Sequence, residues 1–229
     1  MPNLFDTLFD KYIHPLLQSP ETIPEAIESL QDAFREMPTD FERSEVYHWL
    51  ARLHNVLASE AIKAGEIERA KEHHALVEEF YVKALDEYQP RPQTRLALAR
   101  YYLAPENRPD LALQLLSADA FPSFETEDDP DGMLAFYEHQ RRGLLGACFA
   151  LQEDLKSAVP LLKKAYGEDL RGRFEGHADL SPLKHMALCN VRMPLETIKE
   201  IADEALKFDE VENADVRPLI NKIGGLLPE

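Results

Sequence analysis

The chain has 229 residues, 45% of them hydrophobic and 29% charged, which is the balance of a folded globular protein with enough mass for a sizeable core. Its formal charge of −17 opposes phosphate backbones and anionic lipid surfaces, so neither nucleic acid nor membrane is an expected partner. Nine glycines and no run of alternating apolar and polar residues point to an all-α fold.

The acidity is uneven, with net charges of −10 over residues 1–90, −4 over 91–170 and −3 over 171–229. The N-terminus has no basic region and no long apolar run, so neither signal peptide nor anchor is expected. Cys148 and Cys189 sit inside apolar helical patterns and read as reduced, buried thiols. A cytoplasmic, reducing location is the resulting expectation.

In chain order, Leu4, Phe5, Leu8, Phe9, Tyr12, Ile13, Leu16 and Leu17 share one helical face and end at Ser19-Pro20. A second helix is predicted from Pro24 to Glu36, burying Ala26, Ile27, Leu30, Ala33 and Phe34, with Met37-Pro38 as its stop. A long helix from Glu42 to Ala64 carries Val46, Trp49, Leu50, Leu53, Val56 and Leu57, and Gly65 breaks it. The next, Glu66 to Tyr88, carries Ile67, Ala70, His74, Val77, Tyr81 and Leu85.

After Pro90 and Pro92 comes a pair with Leu98, Ala99 and Tyr102 on one helix and Leu111, Ala112 and Leu116 on the next, parted by the breaker PENRPD. Phe121 to Gly132 is an acidic loop. Leu144 to Tyr166 then reads as two helices joined by a tight polar turn at residues 152–155, with Leu145, Gly146 and Phe149 facing Ala158, Leu162 and Ala165. A glycine-containing stretch with Gly167, Gly172 and Gly176 follows, and helices resume at about 183–191, 195–207 and 216–226.

The second helices of these pairs share small or apolar residues at i, i+4 and i+7: Ala26, Leu30, Ala33; Ala70, His74, Val77; Ala158, Leu162, Ala165; and Ile198, Ala202, Ala205. Small residues at a helix crossing flanked by large ones mark hairpins that stack on copies of themselves. In these residues the chain resembles the tetratricopeptide repeat superfamily. Residues 139–172 carry its pattern as Leu145-Gly146, Phe149, Ala158, Leu162 and Ala165. Residues 51–84 carry it partly, as Leu57-Ala58, Ala61 and Ala70, and residues 92–120 as Leu98-Ala99, Tyr102 and Ala112. Residues 7–38 match only in the second helix and its closing Pro38. The anchor alanines stand 44, 42 and 46 residues apart, wider than the family's 34-residue period.

The resemblance implies one domain over residues 1–229, a right-handed α-solenoid of stacked antiparallel helical hairpins with irregular repeats. It would comprise an N-terminal hairpin (1–38), three hairpins (42–170) and C-terminal helices (181–229) that either continue the stack or fold back over it. In the family the first helix of each repeat lines a concave groove. Those slots fall here on Arg52, Asn55, Ser59, Ile62 and Lys63; on Gln93, Leu96, Arg100, Leu103 and Ala104; and on Gln140, Gly143, Ala147, Ala150 and Leu151. The implied peptide-binding groove is therefore Arg52, Asn55, Ser59, Lys63, Gln93, Arg100 and Gln140. Its partner would be a protein or peptide, with an acidic or carboxylate-ended segment suited to the arginines. Pairing with further copies of the chain is a third use for the exposed ends of such a stack.

Signals for catalysis are few. There is no GxxxxGK[ST], GxSxG or HExxH, and no GxGxxG after a strand. Glu45 and His48 form a single ExxH, and His74 with Glu78 (beside His73) forms a pair at i, i+4. Together these five residues frame the competing expectation, a helical metal-binding enzyme or sensor. His177 with Arg171 and Arg173 is an anion-receptive loop without an acid–base partner. A noncatalytic scaffold without cofactor or metal is the leading expectation.

Overall fold

A computed structural model describes residues 19–104, 106–117, 133–168, 180–208 and 216–225, together with Phe5, Phe9, Asp10 and His14. Ten α-helices and no strand occur among the described residues: α1 Ile23–Phe34, α2 Asp40–Lys63, α3 Ile67–Glu87, α4 Pro92–Leu103, α5 Pro109–Leu116, α6 Met133–Leu151, α7 Leu155–Lys163, α8 Ser181–Leu188, α9 Leu195–Phe208 and α10 Val216–Ile223. They pack as sequential antiparallel pairs. Two compact units divide the chain, residues 1–95 and 96–229. The acidic loop 121–132, the Arg171, Arg173 and His177 cluster, and most of the amphipathic segment 4–17 lie outside the described residues.

In the first unit, α2 and α3 form the principal pair and α1 packs on α2. The start of α2 is set by Thr39, whose hydroxyl accepts from Glu42 N at 3.2 Å and donates to Glu42 Oε2 at 2.8 Å, while Glu42 Oε1 accepts from Phe5 N at 3.4 Å. Its end is set by Gly65, at φ 75°. Gly65 N donates to Ile62 O and Glu66 N to Ala61 O, so the last carbonyls are satisfied as the chain reverses into α3. The predicted breaker thus acts by supplying a left-handed residue, which a side chain would strain.

In the second unit, α5 packs on α6 and α6 pairs with α7, while α8 lies on α6 and α10. The α9 helix packs on α7 and pairs with α10. The α6–α7 turn repeats the same capping, with Glu153 left-handed at φ 63° and Asp154 accepting from Ser157 N at 3.1 Å to begin α7. Pro160 inside α7 has no N–H to donate, and past Lys163 the chain widens into a π turn, Lys164–Glu168. That turn buries Tyr166 and presents the Ala165 carbonyl to His139 Nδ1 at 2.9 Å. Before α9, Met193 N and Arg192 Nη1 donate to the carbonyls of Ile223 and Lys222, which close the end of α10.

The spacing frame marks the core. Ala26, Leu30, Ala70, Val77, Ala158, Leu162, Ala165, Ile198 and Ala202 are all buried, as are Ala112 and Leu116 of α5, whereas Ala33 and His74 are half-buried. Two positions of the apolar patterns depart from burial: Val56 and Ile67 are exposed. Val56 falls on the face of α2 turned away from α3, and Ile67 opens α3 beside the exposed reversal. Cys189 is a third departure, only partly covered because α8 ends at Leu188 and leaves it at the helix terminus. No described helix is long and apolar enough to cross a membrane.

Candidate functional site

Four of the groove positions lie on the outer face of α2. Arg52, Asn55, Ser59 and Lys63 are exposed, and helical spacing places Val56 and Ile62 in the same stripe, at 39% and 51% exposure. Arg52 rests its guanidinium 4.2 Å over the Trp49 ring, which in turn lies 4.4 Å from Phe9. That contact orients Arg52 along the helix while leaving its donors at the surface. Ser59 Oγ donates to the Asn55 carbonyl at 3.0 Å, and Lys63 Nζ is 2.6 Å from Glu60 in an exposed pair. Stability gains from such a pair are small, so Lys63 exchanges partners readily.

Elsewhere the assigned positions differ in setting. Gln93 is exposed in the first turn of α4. Arg100 is half-buried and its Nε donates to Ser181 Oγ at 3.4 Å; Gln140 is half-buried on α6. Leu96, Leu103, Gly143, Ala147 and Ala150 are buried and belong to the core. Of the stripe's apolar members, Ile62 is one of the implied groove slots, whereas Val56 carries no separate sequence signal, because α2 is apolar on more than one side.

Three of the five residues of the competing metal reading, Glu45, His48 and His73, have partners outside that set. Glu45 is 2.5 Å from Arg91, which is itself buried, and His48 Nδ1 bonds the Thr94 hydroxyl at 2.9 Å. Burial, with Arg91 and then Arg52 adding repulsion, holds the His48 imidazole well below its usual pKa. His73 Nδ1 lies 3.0 Å from Nδ1 of His54, whose ring stacks on Phe80 at 5.5 Å. No group of three or more His, Cys, Asp and Glu is placed to hold a metal among the described residues. Cys148 is sealed in the core, where burial pushes its thiol up to about 12.

The His54–His73 contact carries a pH dependence. Burial, then the neighbouring His73, lower the His54 pKa from 6.5 to about 4; His73 is lowered by burial and Arg69, against an opposing Glu72. Between these limits the unfolded chain binds a proton that the folded chain refuses. The contribution of His54 to stability is therefore complete above pH ~6.5, declines as pH falls, and is lost below ~4. His54 contributes up to about 3 kcal/mol of that loss. Urea midpoints at several pH values are expected to fall with acid in wild type and to fall less in His54→Leu; equal falls would remove His54 from the account.

Comparisons with protein-family models, curated proteins and solved structures find no match.

Proposed function

We propose that the chain is a noncatalytic scaffold of divergent, tetratricopeptide-like hairpins stacked as an irregular right-handed solenoid, acting by binding an extended peptide or a partner helix. The observation that carries this reading is the α2 stripe, in which Arg52, Asn55, Ser59 and Lys63 share an exposed face with Val56 and Ile62. Exposed branched aliphatic side chains between hydrogen-bonding ones suit a segment that buries apolar side chains while its backbone and carboxylates are paired. Two cations on one stripe of a chain with net charge −17 favour an acidic or carboxylate-ended partner.

Support also comes from the helix pairs and their buried small-residue frame, which give such an array its stacking contacts. In this reading the protein works in a reducing interior. The test is capture from the native host with wild type and with Arg52→Glu/Lys63→Glu. A specific partner should bind wild type and bind the variant at least roughly tenfold more weakly, a difference of about 1.4 kcal/mol. Equal capture by a variant with unchanged far-ultraviolet circular dichroism would overturn the assignment of this face, and light scattering of the free protein would reveal whether copies of the chain cover it instead.

A further inference from the structure

Three donor atoms of different chemistry meet at the end of α8. Cys189 Sγ lies 3.5 Å from His185 Nε2, one helical turn earlier, and 3.7 Å from Asn107 Oδ1, which arrives from the turn before α5. None of the three belongs to the α2 stripe or to the five residues of the metal reading weighed above. His185 is 7% exposed, its Nδ1 is buried without a hydrogen-bond partner, and its Nε2 faces the sulfur. Asn107 is exposed and Cys189 partly so, which leaves the sulfur approachable from solvent.

The spacing has a chemical meaning. A zinc ion holds sulfur at about 2.3 Å and imidazole nitrogen at about 2.0–2.1 Å, and in a tetrahedron those two ligands stand about 3.5 Å apart. An amide oxygen at about 2.1 Å would stand at much the same distance from the sulfur. Both observed separations match the edges of a zinc-sized tetrahedron that meet at the sulfur. Backbone geometry holds the pair: Cys189 N donates to His185 O at 2.9 Å, so the helical turn that sets the i, i+4 separation is closed.

We propose that His185 Nε2, the Cys189 thiolate and Asn107 Oδ1 form a surface site for a divalent zinc-class cation, with the fourth position open to water or to a donor from another molecule. Burial keeps His185 neutral, the form in which it can ligate. Burial also raises the Cys189 thiol, so a metal must displace the thiol proton to solvent and binding strengthens with pH. The net charge of −17 favours cation approach. Two costs hold the affinity below that of a four-ligand structural site: the third ligand is a neutral amide, and ligation through Nε2 leaves the proton on the buried Nδ1.

The experiment is titration of the reduced, full-length protein with Co²⁺ as a spectroscopic substitute, followed by competition with Zn²⁺. A near-ultraviolet thiolate-to-cobalt charge-transfer band should saturate at about one ion per chain and vanish when Zn²⁺ is added. Cys189→Ser should abolish the band and Cys148→Ser should retain it, while His185→Gln and Asn107→Ala should each weaken Co²⁺ binding by roughly tenfold or more. Circular dichroism checks each variant; were Cys189→Ser to misfold, the His185 and Asn107 variants carry the decision. Absence of a charge-transfer band in wild type, or affinity unchanged by the His185 and Asn107 variants, overturns the site.

Discussion

Replacing Arg91 by alanine is expected to cost about 3–5 kcal/mol, because it leaves the Glu45 carboxylate without its counter-ion in a place water scarcely reaches. Arg91 is 3% exposed and Glu45 16%, and their charged atoms are 2.5 Å apart. Arg91 Nη1 also donates to Ser44 Oγ at 3.0 Å, whose hydroxyl donates onward to the Ala84 carbonyl on α3 at 2.7 Å. One side chain just ahead of α4 thus organises polar groups on α2 and, through Ser44, reaches α3. The melting temperature of the variant should fall by roughly 10 °C or more. The double variant Arg91→Met/Glu45→Met is the decisive companion, since it removes both charges and keeps most of the volume. It should recover the greater part of the loss, as replacement of a complete buried pair by apolar groups is often neutral. A double variant as unstable as the single one would mean that packing of the guanidinium, including its approach to 5.8 Å from the Phe41 ring, outweighs the charge.

The parts of this architecture that could be read from the chain are those with a local cause. Gly65 signals a reversal because only a residue without Cβ enters the left-handed region freely, and Pro38 stops a helix through its missing N–H. The frame of Ala158, Leu162 and Ala165 predicts burial because its spacing returns each residue to one helix face. What was not legible depends on partners far along the chain. Nothing near Glu45 announces Arg91, nothing near Cys189 announces Asn107, and His54 gained its meaning only when α3 brought His73 beside it. The exposure of Val56 has the same origin. On a 24-residue helix with apolar residues on more than one side, packing against α1 and α3 decides which side remains outside. The groove positions divide likewise: those on α2 lie at the surface, while Leu96, Leu103 and Ala147 on other helices are needed by the core.

Enlarging Gly146 tests the physical claim behind the hairpin reading. A Cβ at this position would stand 2.5 Å from Leu162 Cγ and 2.7 Å from its Cδ2, with the Ala158 carbonyl at 3.4 Å. Leu162, on α7 against Gly146 of α6, is fully buried, and close packing leaves it little room to withdraw. Gly146→Ala gains up to about 1 kcal/mol of helix propensity but meets that contact, and a net loss of about 1–2 kcal/mol is expected. In Gly146→Val the two extra methyl groups add clash without further propensity, and a loss of more than about 3 kcal/mol is expected, enough to open the α6–α7 crossing. Gly167, in the π turn, supplies the control: nothing stands within 4 Å of its added Cβ, so Gly167→Ala should be close to neutral. Urea unfolding of the four proteins checks the order, and pairing Gly146→Ala with Leu162→Ala identifies the cause. If the clash is responsible, the two changes should be strongly non-additive, with the smaller side chain at 162 relieving the alanine at 146. Additive losses would mean that the two helices do not depend on this close approach, and the small-residue frame would then lose its standing as the reason these hairpins pack.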